Sequence, residues 1–189
     1  LSCETASGKY PLDAVRTMAS IAEQAEKDRQ SFGHAEDIPL MTNCTQKEFL
    51  AHAAINATRL LGVEGIITYS ETCETARNLA SFRGPKPILA ICYKEKTQRW
   101  LNLSYGVISV YQKEHQNADF MFLAALRMLR QKGYLTDNDK VAYLSGSLGE
   151  GGGTTFIEIN DVSKAFDEKY QFHYRKYSPR VGQFGRCFL

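Results

Sequence analysis

The chain reads as an α/β protein, a three-layer α/β/α sandwich on a mostly parallel sheet of about five strands. Three observations predict this. Short apolar runs at 64–69, 87–93, 106–112, 140–146 and 151–160 are separated by segments of helical periodicity. These runs lack the strict polar alternation of a sheet with one wet face, so both faces are covered. Strand and helix take turns along the chain, which calls for parallel strands joined by mostly right-handed crossovers.

Taken in order, "YPLDAVRTMASIAEQAEKD" carries Val15, Met18, Ala19, Ala22 and Ala25 at helical spacing, with Pro11 near its start. The polar stretch "RQSFGHAEDIPLMTN" reads as a linker. A capping box, Thr45 to Glu48, then opens a helix through Phe49, Leu50, Ala53, Ala54, Ala57 and Leu60 that stops near Gly62. "EGIITY" is a strand, "TCETARNLASFRG" a helix closed by Gly84, and "PILAICY" a strand. "KTQRWLNL" is a helix and "GVISVYQ" a strand. "ADFMFLAALRMLRQKG" is a long amphipathic helix ending at Gly133, with Met121, Phe122, Ala125, Leu126 and Leu129 as its core stripe. "KVAYLSG" is the next strand, and the glycine-rich "GGGTTFIEIN" runs into the last.

Hydrophobic content of 43%, charged content of 23% and a net charge of +2 are those of an ordinary globular chain. They argue for neither a nucleic-acid binder nor a membrane-surface binder. No apolar run approaches the roughly 20 residues that span a bilayer. Cys3, Cys44, Cys73, Cys92 and Cys187 are scattered, with no C-x-x-C pair and no histidine at metal-ligand spacing. That usage predicts a reducing, cytoplasmic setting, incidental thiols and no metal site. His34, His52, His115 and His173 are spread over helix, linker and tail, and no nucleophile–base or carboxylate–metal cluster can be assembled. From Ser163 onward the tail mixes six Lys/Arg and seven Phe/Tyr with two acids. Such interleaving suits single-stranded nucleic acid, yet the body of the chain offers no basic face, so a packed arm is the expectation there.

The opening "LSCETASGKYPLDAVRTM" resembles the segment of pyruvate kinases in which the last strands of a catalytic (β/α)8 barrel hand over to a closing helix. Leu1, Ser2, Glu4, Thr5, Ala6, Gly8, Tyr10, Pro11, Ala14, Val15 and Met18 fit it; Cys3 stands where the family has glycine. "EGIITYSETCETARNLASFRGPKPILAI", "RWLNLSYGVISV" and "LSGSLGEGGGTTF" are similar, in the same order, to segments of that family's C-terminal domain. The resemblance divides the chain into a barrel end (1–27), a linker (28–44), a regulatory and oligomerisation domain (45–161) and a tail (162–189) without counterpart.

It implies a share in phosphoryl transfer from phosphoenolpyruvate to ADP, with Mg²⁺ and K⁺ serving the full-length enzyme. The catalytic lysine, arginine and Mg²⁺-holding carboxylates belong to motifs not found here, so no catalytic or metal-binding residue is expected in this chain. Ser2, Glu4 and Thr5 are expected to shape the strand-to-helix turn. The implied partners are the chain's own barrel, further copies forming a tetramer, and a small phosphorylated effector; neither nucleic acid nor membrane is implied. A different class of reading is a stand-alone phosphate-ligand sensor.

The effector site is expected at two loops. Ser70, Thr72 and Thr75 supply hydroxyls where a helix begins, with its amides and positive dipole end. Gly149, Gly152 and Gly153, with Thr154 following, bring further amides close. The bland alternative makes Thr72 a plain N-cap. Glu71 and Glu74 oppose a phosphate: a carboxylate about 4 Å away costs about 4 kcal/mol at an effective dielectric near 20, whereas a helix terminus returns about 0.3–1 kcal/mol. They prevail unless Lys94, Lys96 or Arg99 swings in. Glu114 and Met121 occupy the positions where bisphosphate-activated members place Trp and Arg, and Cys73 replaces a loop glycine. Fructose bisphosphate is therefore expected to bind weakly or not at all.

Overall fold

The computed structural model describes residues 1–31, 42–113, 118–146 and 153–166. The chain divides into two compact units, Leu1–Pro39 and Leu40–Leu189.

In the first unit, a single helical turn, α1 (Cys3–Ala6), precedes α2 (Pro11–Ser31). The Ser2 amide donates to Glu4 Oε2 at 3.0 Å and the Thr5 hydroxyl to the Ser2 carbonyl at 3.1 Å, so the Glu4 and Thr5 side chains hold the turn through the Ser2 backbone. Pro11 occupies the first helical position, where its missing N–H costs nothing. Leu12, Val15, Met18 and Ile21 are all exposed on α2.

The second unit holds the sandwich. Its elements are α3 (Gln46–Leu60), β1 (Val63–Tyr69), α4 (Glu74–Ser81), β2 (Ile88–Cys92), α5 (Glu95–Leu101), β3 (Val107–Tyr111), α6 (Ala118–Gln131), β4 (Lys140–Ser145) and β5 (Phe156–Asp161), closed by a 3₁₀ turn at Lys164–Phe166. The expected capping box on α3 is present in full: Thr45 accepts from the Glu48 amide while the Glu48 carboxylate accepts from the Thr45 amide. Those hydrogen bonds, led by the Thr45 amide, hold the Glu48 carboxyl below its ordinary pKa.

The five strands lie in the order β3-β2-β1-β4-β5. The first four are parallel, with Ile66 beside Ile88, Ile88 beside Val107 and Ile66 beside Ala142. Strand β5 returns antiparallel on β4, pairing Tyr143 with Glu158.

Alternate residues of each strand enter two separate cores. Ile66, Ile88, Ala90, Cys92, Ala142 and Leu144 pack with Ala51, Ala54 and Ile55 of α3, Ala76, Leu79 and Ala80 of α4, and Leu101 of α5. Ile67, Leu89, Ile91, Val110, Val141 and Tyr143 pack with Phe122, Ala125, Leu126 and Leu129 of α6. Both faces bury apolar side chains, which is why the strands read as continuous apolar runs. Val162 and Ala165 belong to the α6-side core, so packing continues beyond Asp161.

The edge strand β5 carries one poorly solvated charge. Burial raises the Glu158 carboxyl above its usual pKa, and a hydrogen bond from the Asn160 amide offsets part of this. A raised folded-state pKa favours the protonated form, so its contribution is complete below the ordinary carboxylate range and is lost as pH rises through the raised value. Glu158→Gln should therefore raise stability near pH 8 and leave it unchanged near pH 4, where the wild-type carboxyl is largely protonated. Urea unfolding of both proteins at the two pH values measures this.

Candidate functional site

The order of the sheet reverses at β1, from which β2 and β3 extend on one side and β4 and β5 on the other. In open α/β sheets the crevice beyond the strand C-termini at such a point receives ligands. The loop after β1 and the segment entering β5 meet there. The Thr75 and Thr154 hydroxyls lie 2.8 Å apart, joining two residues remote in sequence. Thr154 is buried, and the Thr155 amide donates to the Ser145 carbonyl at 2.9 Å. The positions Gly149 and Gly152 fall outside the described residues.

Ser70 is 3% exposed, and its hydroxyl has no hydrogen-bond partner among the described residues. Strand alternation puts it with Ile66 on the face covered by α3 and α4. An unmet buried hydroxyl is costly.

Helix α4 begins without a side-chain cap. Its N-cap residue is Cys73, in the left-handed region at φ 69°, and not Thr72, which is exposed. The left-handed backbone accounts for the glycine that the resembling family carries there. Cys73 keeps the conformation with its side chain buried in the core, its Sγ 3.9 Å from the Thr97 carbonyl. Neighbouring Cys92 is also buried, and burial, with a smaller effect of Cys73, pushes its thiol up to about 11, so it stays protonated.

The two carboxylates of this loop do not stand alone. Lys94 Nζ lies 3.0 Å from Glu71, and Lys47 Nζ lies 3.0 Å from both carboxylate oxygens of Glu74. Of the cations weighed from the sequence, only Lys94 reaches the loop: Lys96 lies over the Trp100 ring and Arg99 pairs with Glu95. Lys47 was not anticipated. It sits in the first turn of α3, 27 positions before Glu74, and no local pattern joins them. A Cβ placed on Gly153 would be 2.8 Å from Lys47 Cε, so the lysine stem runs against that glycine.

Beside the loop, Tyr69 stacks on Tyr93 with ring centroids 5.6 Å apart and meets Tyr143 edge-on. Burial, more than the neighbouring tyrosines, drives the Tyr69 hydroxyl pKa upward. Met121 lies against this group, 3.9 Å from the Tyr93 hydroxyl. Glu114 falls outside the described residues.

Two other features do not build a site. An open groove of about 510 Å³ lies along the C-terminal end of α6, lined by Arg127, Arg130, Leu135 and Asp137. Arg130 is paired with Asp137 at 2.6 Å, and the negative helix terminus disfavours an anion there. Among the described residues no three His, Cys, Asp or Glu side chains converge to hold a metal ion. Among the described residues no helix is long and apolar enough to cross a membrane.

Comparison with known proteins agrees with this architecture. The family described as pyruvate kinase, alpha/beta domain, matches residues 48–160. The pyruvate kinase of Borreliella burgdorferi is 35% identical over 168 residues, covering 87% of this chain and 35% of the relative. That of Lactococcus lactis is 30% identical over 164 residues, covering 86% of this chain and 32% of the relative. A crystal structure of a Cryptosporidium parvum pyruvate kinase superposes with a TM-score of 0.70 at 25% identity, covering 85% of this chain and 32% of that one. The chain thus spans about a third of the length of these relatives. With the matched family domain covering more than half of its residues, and with the strand order and both cores in place, the chain belongs to the pyruvate kinase family.

Proposed function

We propose that this chain is the regulatory end of a pyruvate kinase, in which residues 1–27 close the catalytic barrel, 28–44 link, 45–161 form the regulatory and oligomerisation domain and 162–189 are a tail. The whole cytoplasmic enzyme would convert phosphoenolpyruvate and ADP to pyruvate and ATP as a tetramer using Mg²⁺ and K⁺. The chemistry lies in the barrel, so this chain alone turns over nothing. Its own part is to carry subunit contacts and a phosphate-effector site. The exposed apolar side chains Phe49 and Leu60 on α3 support the first role.

The effector site comprises Ser70, Thr72, Thr75, Gly149, Gly152, Gly153 and Thr154. One observation carries it: the Thr75–Thr154 contact joins both loops at a helix start with no side-chain cap, on the same loop as a buried Ser70 hydroxyl that has no partner among the described residues. Hydroxyls and first-turn amides are the donors a phosphate accepts from. Glu71, Glu74 and the uncharged Met121 leave a second phosphate poorly served, which favours a monophosphate over fructose 1,6-bisphosphate.

Calorimetric titration tests this. Glucose 6-phosphate should bind, and Thr75→Val should weaken it about tenfold or more, the worth of one hydrogen bond to a charged group. Absence of binding, or a micromolar dissociation constant for fructose 1,6-bisphosphate, would overturn the assignment. Pyruvate formation from phosphoenolpyruvate and ADP by the isolated chain with Mg²⁺ and K⁺ would overturn the division of labour.

A further inference from the structure

We propose that Glu74 is a built-in stand-in for the effector's phosphate: its carboxylate clasps Lys47 across the two loops, and a phosphate monoester binds by taking Lys47 from it. This deepens the effector-site reading and rests on it. Lys47 thereby becomes a ligand-binding and specificity-determining residue.

The geometry points to Lys47 for three reasons. First, its base is fixed. It lies within the capping box, between Thr45 and Glu48, which sets the first turn of α3. Second, it reaches both loops. Its ammonium group contacts both oxygens of Glu74 at 3.0 Å, and its stem runs against Gly153, next to the Thr154 that meets Thr75. Third, the carboxylate that holds it sits on the first residue of α4, which has no side-chain cap among the described residues, and the loop before it carries the buried Ser70 hydroxyl, without a partner among the described residues. A carboxylate presents two acceptor oxygens to the ammonium there. A phosphate presents three and carries more charge, so it is the stronger partner for the same cation.

The pair is also weak enough to exchange. Lys47 and Glu74 side chains are 36% and 54% exposed, a setting in which an ion pair contributes little to stability. Glu71 and Lys94 form a comparable pair at 3.0 Å, but it is more exposed. Lys47 touches both Glu74 and the position of Gly153. The pairing cancels the repulsion that Glu74 would otherwise exert, and freeing Lys47 makes that cation the counter-charge of the ligand.

The test uses the isotopically labelled 189-residue chain titrated with inorganic phosphate at low salt. Binding is followed by the amide shifts of Glu74, Thr75 and Ala76. Glu74→Gln should tighten binding about tenfold, because the internal competitor and its charge are gone. Glu71→Gln should change it by no more than about twofold, as expected of a screened, exposed charge. Lys47→Gln should weaken binding at least about tenfold, while Lys47→Arg retains it. Equal tightening by both Glu→Gln variants, or unchanged binding by Lys47→Gln, would overturn the latch and leave the phosphate site standing. Should Lys47→Gln fail to fold, the comparison of Glu74→Gln with Glu71→Gln decides. If these amides respond to phosphate in neither the wild type nor Glu74→Gln, the latch and the effector site fall together.

Discussion

Leu89→Ala should destabilise the α/β unit by about 4 kcal/mol, toward the upper end of large-to-small core substitutions. Leu89 is fully buried in β2 at the centre of the α6-side core. Its Cδ1 lies 3.2 Å from the position a Cβ would take on Gly65 in the neighbouring strand. The leucine thus fills space that Gly65 leaves empty, with Leu135 Cδ2 3.6 Å from the same point, and in a close-packed core its loss leaves a cavity. Thermal unfolding should fall by about 10 °C or more. The partner test is Gly65→Ala in the Leu89→Ala background. The added methyl enters the vacated space and should recover about 1 kcal/mol, whereas Gly65→Ala alone crowds Leu89 and destabilises. A double-mutant cycle by urea unfolding reads the coupling, and additive effects would contradict the packing described.

Gly146→Ala should cost about 2–3 kcal/mol, as overpacking does, and should also abolish phosphate binding. A Cβ on Gly146 would lie 1.9 Å from the Gly153 carbonyl oxygen, a clash with backbone that no rotamer change relieves. Gly153 and Thr154 would have to move, and Thr154 would leave Thr75, whose hydroxyl it meets at 2.8 Å. The last ladder pair of β4 and β5, Ser145 with Phe156, lies at the same end. Gly153→Ala provides the contrast, because among the described residues its methyl would meet the Lys47 stem, the end of a flexible side chain. Its stability should stay within about 0.5 kcal/mol of wild type. Urea unfolding of the two variants should therefore differ by several-fold in ΔΔG, and equal losses would refute the close approach of Gly146 to Gly153.

The charges around α4 show how local and tertiary information divide. Glu71 and Glu74 suggest a loop hostile to anions if only near neighbours in sequence are considered. Folding brings Lys94 to one and Lys47 to the other, from 23 and 27 positions away. Cys73 teaches a related lesson. Thr72 has the composition of an N-cap, yet the backbone turns left-handed one residue later and Cys73 takes that position. Side-chain type sets capping preference, but the backbone conformation at Cys73 marks where the helix starts.

The sequence by itself determined the alternation of strands and helices, the capping box on α3, the apolar stripe of α6 and the resemblance that places the chain in its family. These are features of period, local hydrogen bonding and motif order, readable within a dozen neighbouring residues. Only the tertiary structure decided the strand order, the antiparallel seating of β5, the meeting of Thr75 with Thr154 and the clasp of Lys47 on Glu74. Each of these joins residues far apart in the chain, and such pairings depend on how two cores close on opposite faces of one sheet.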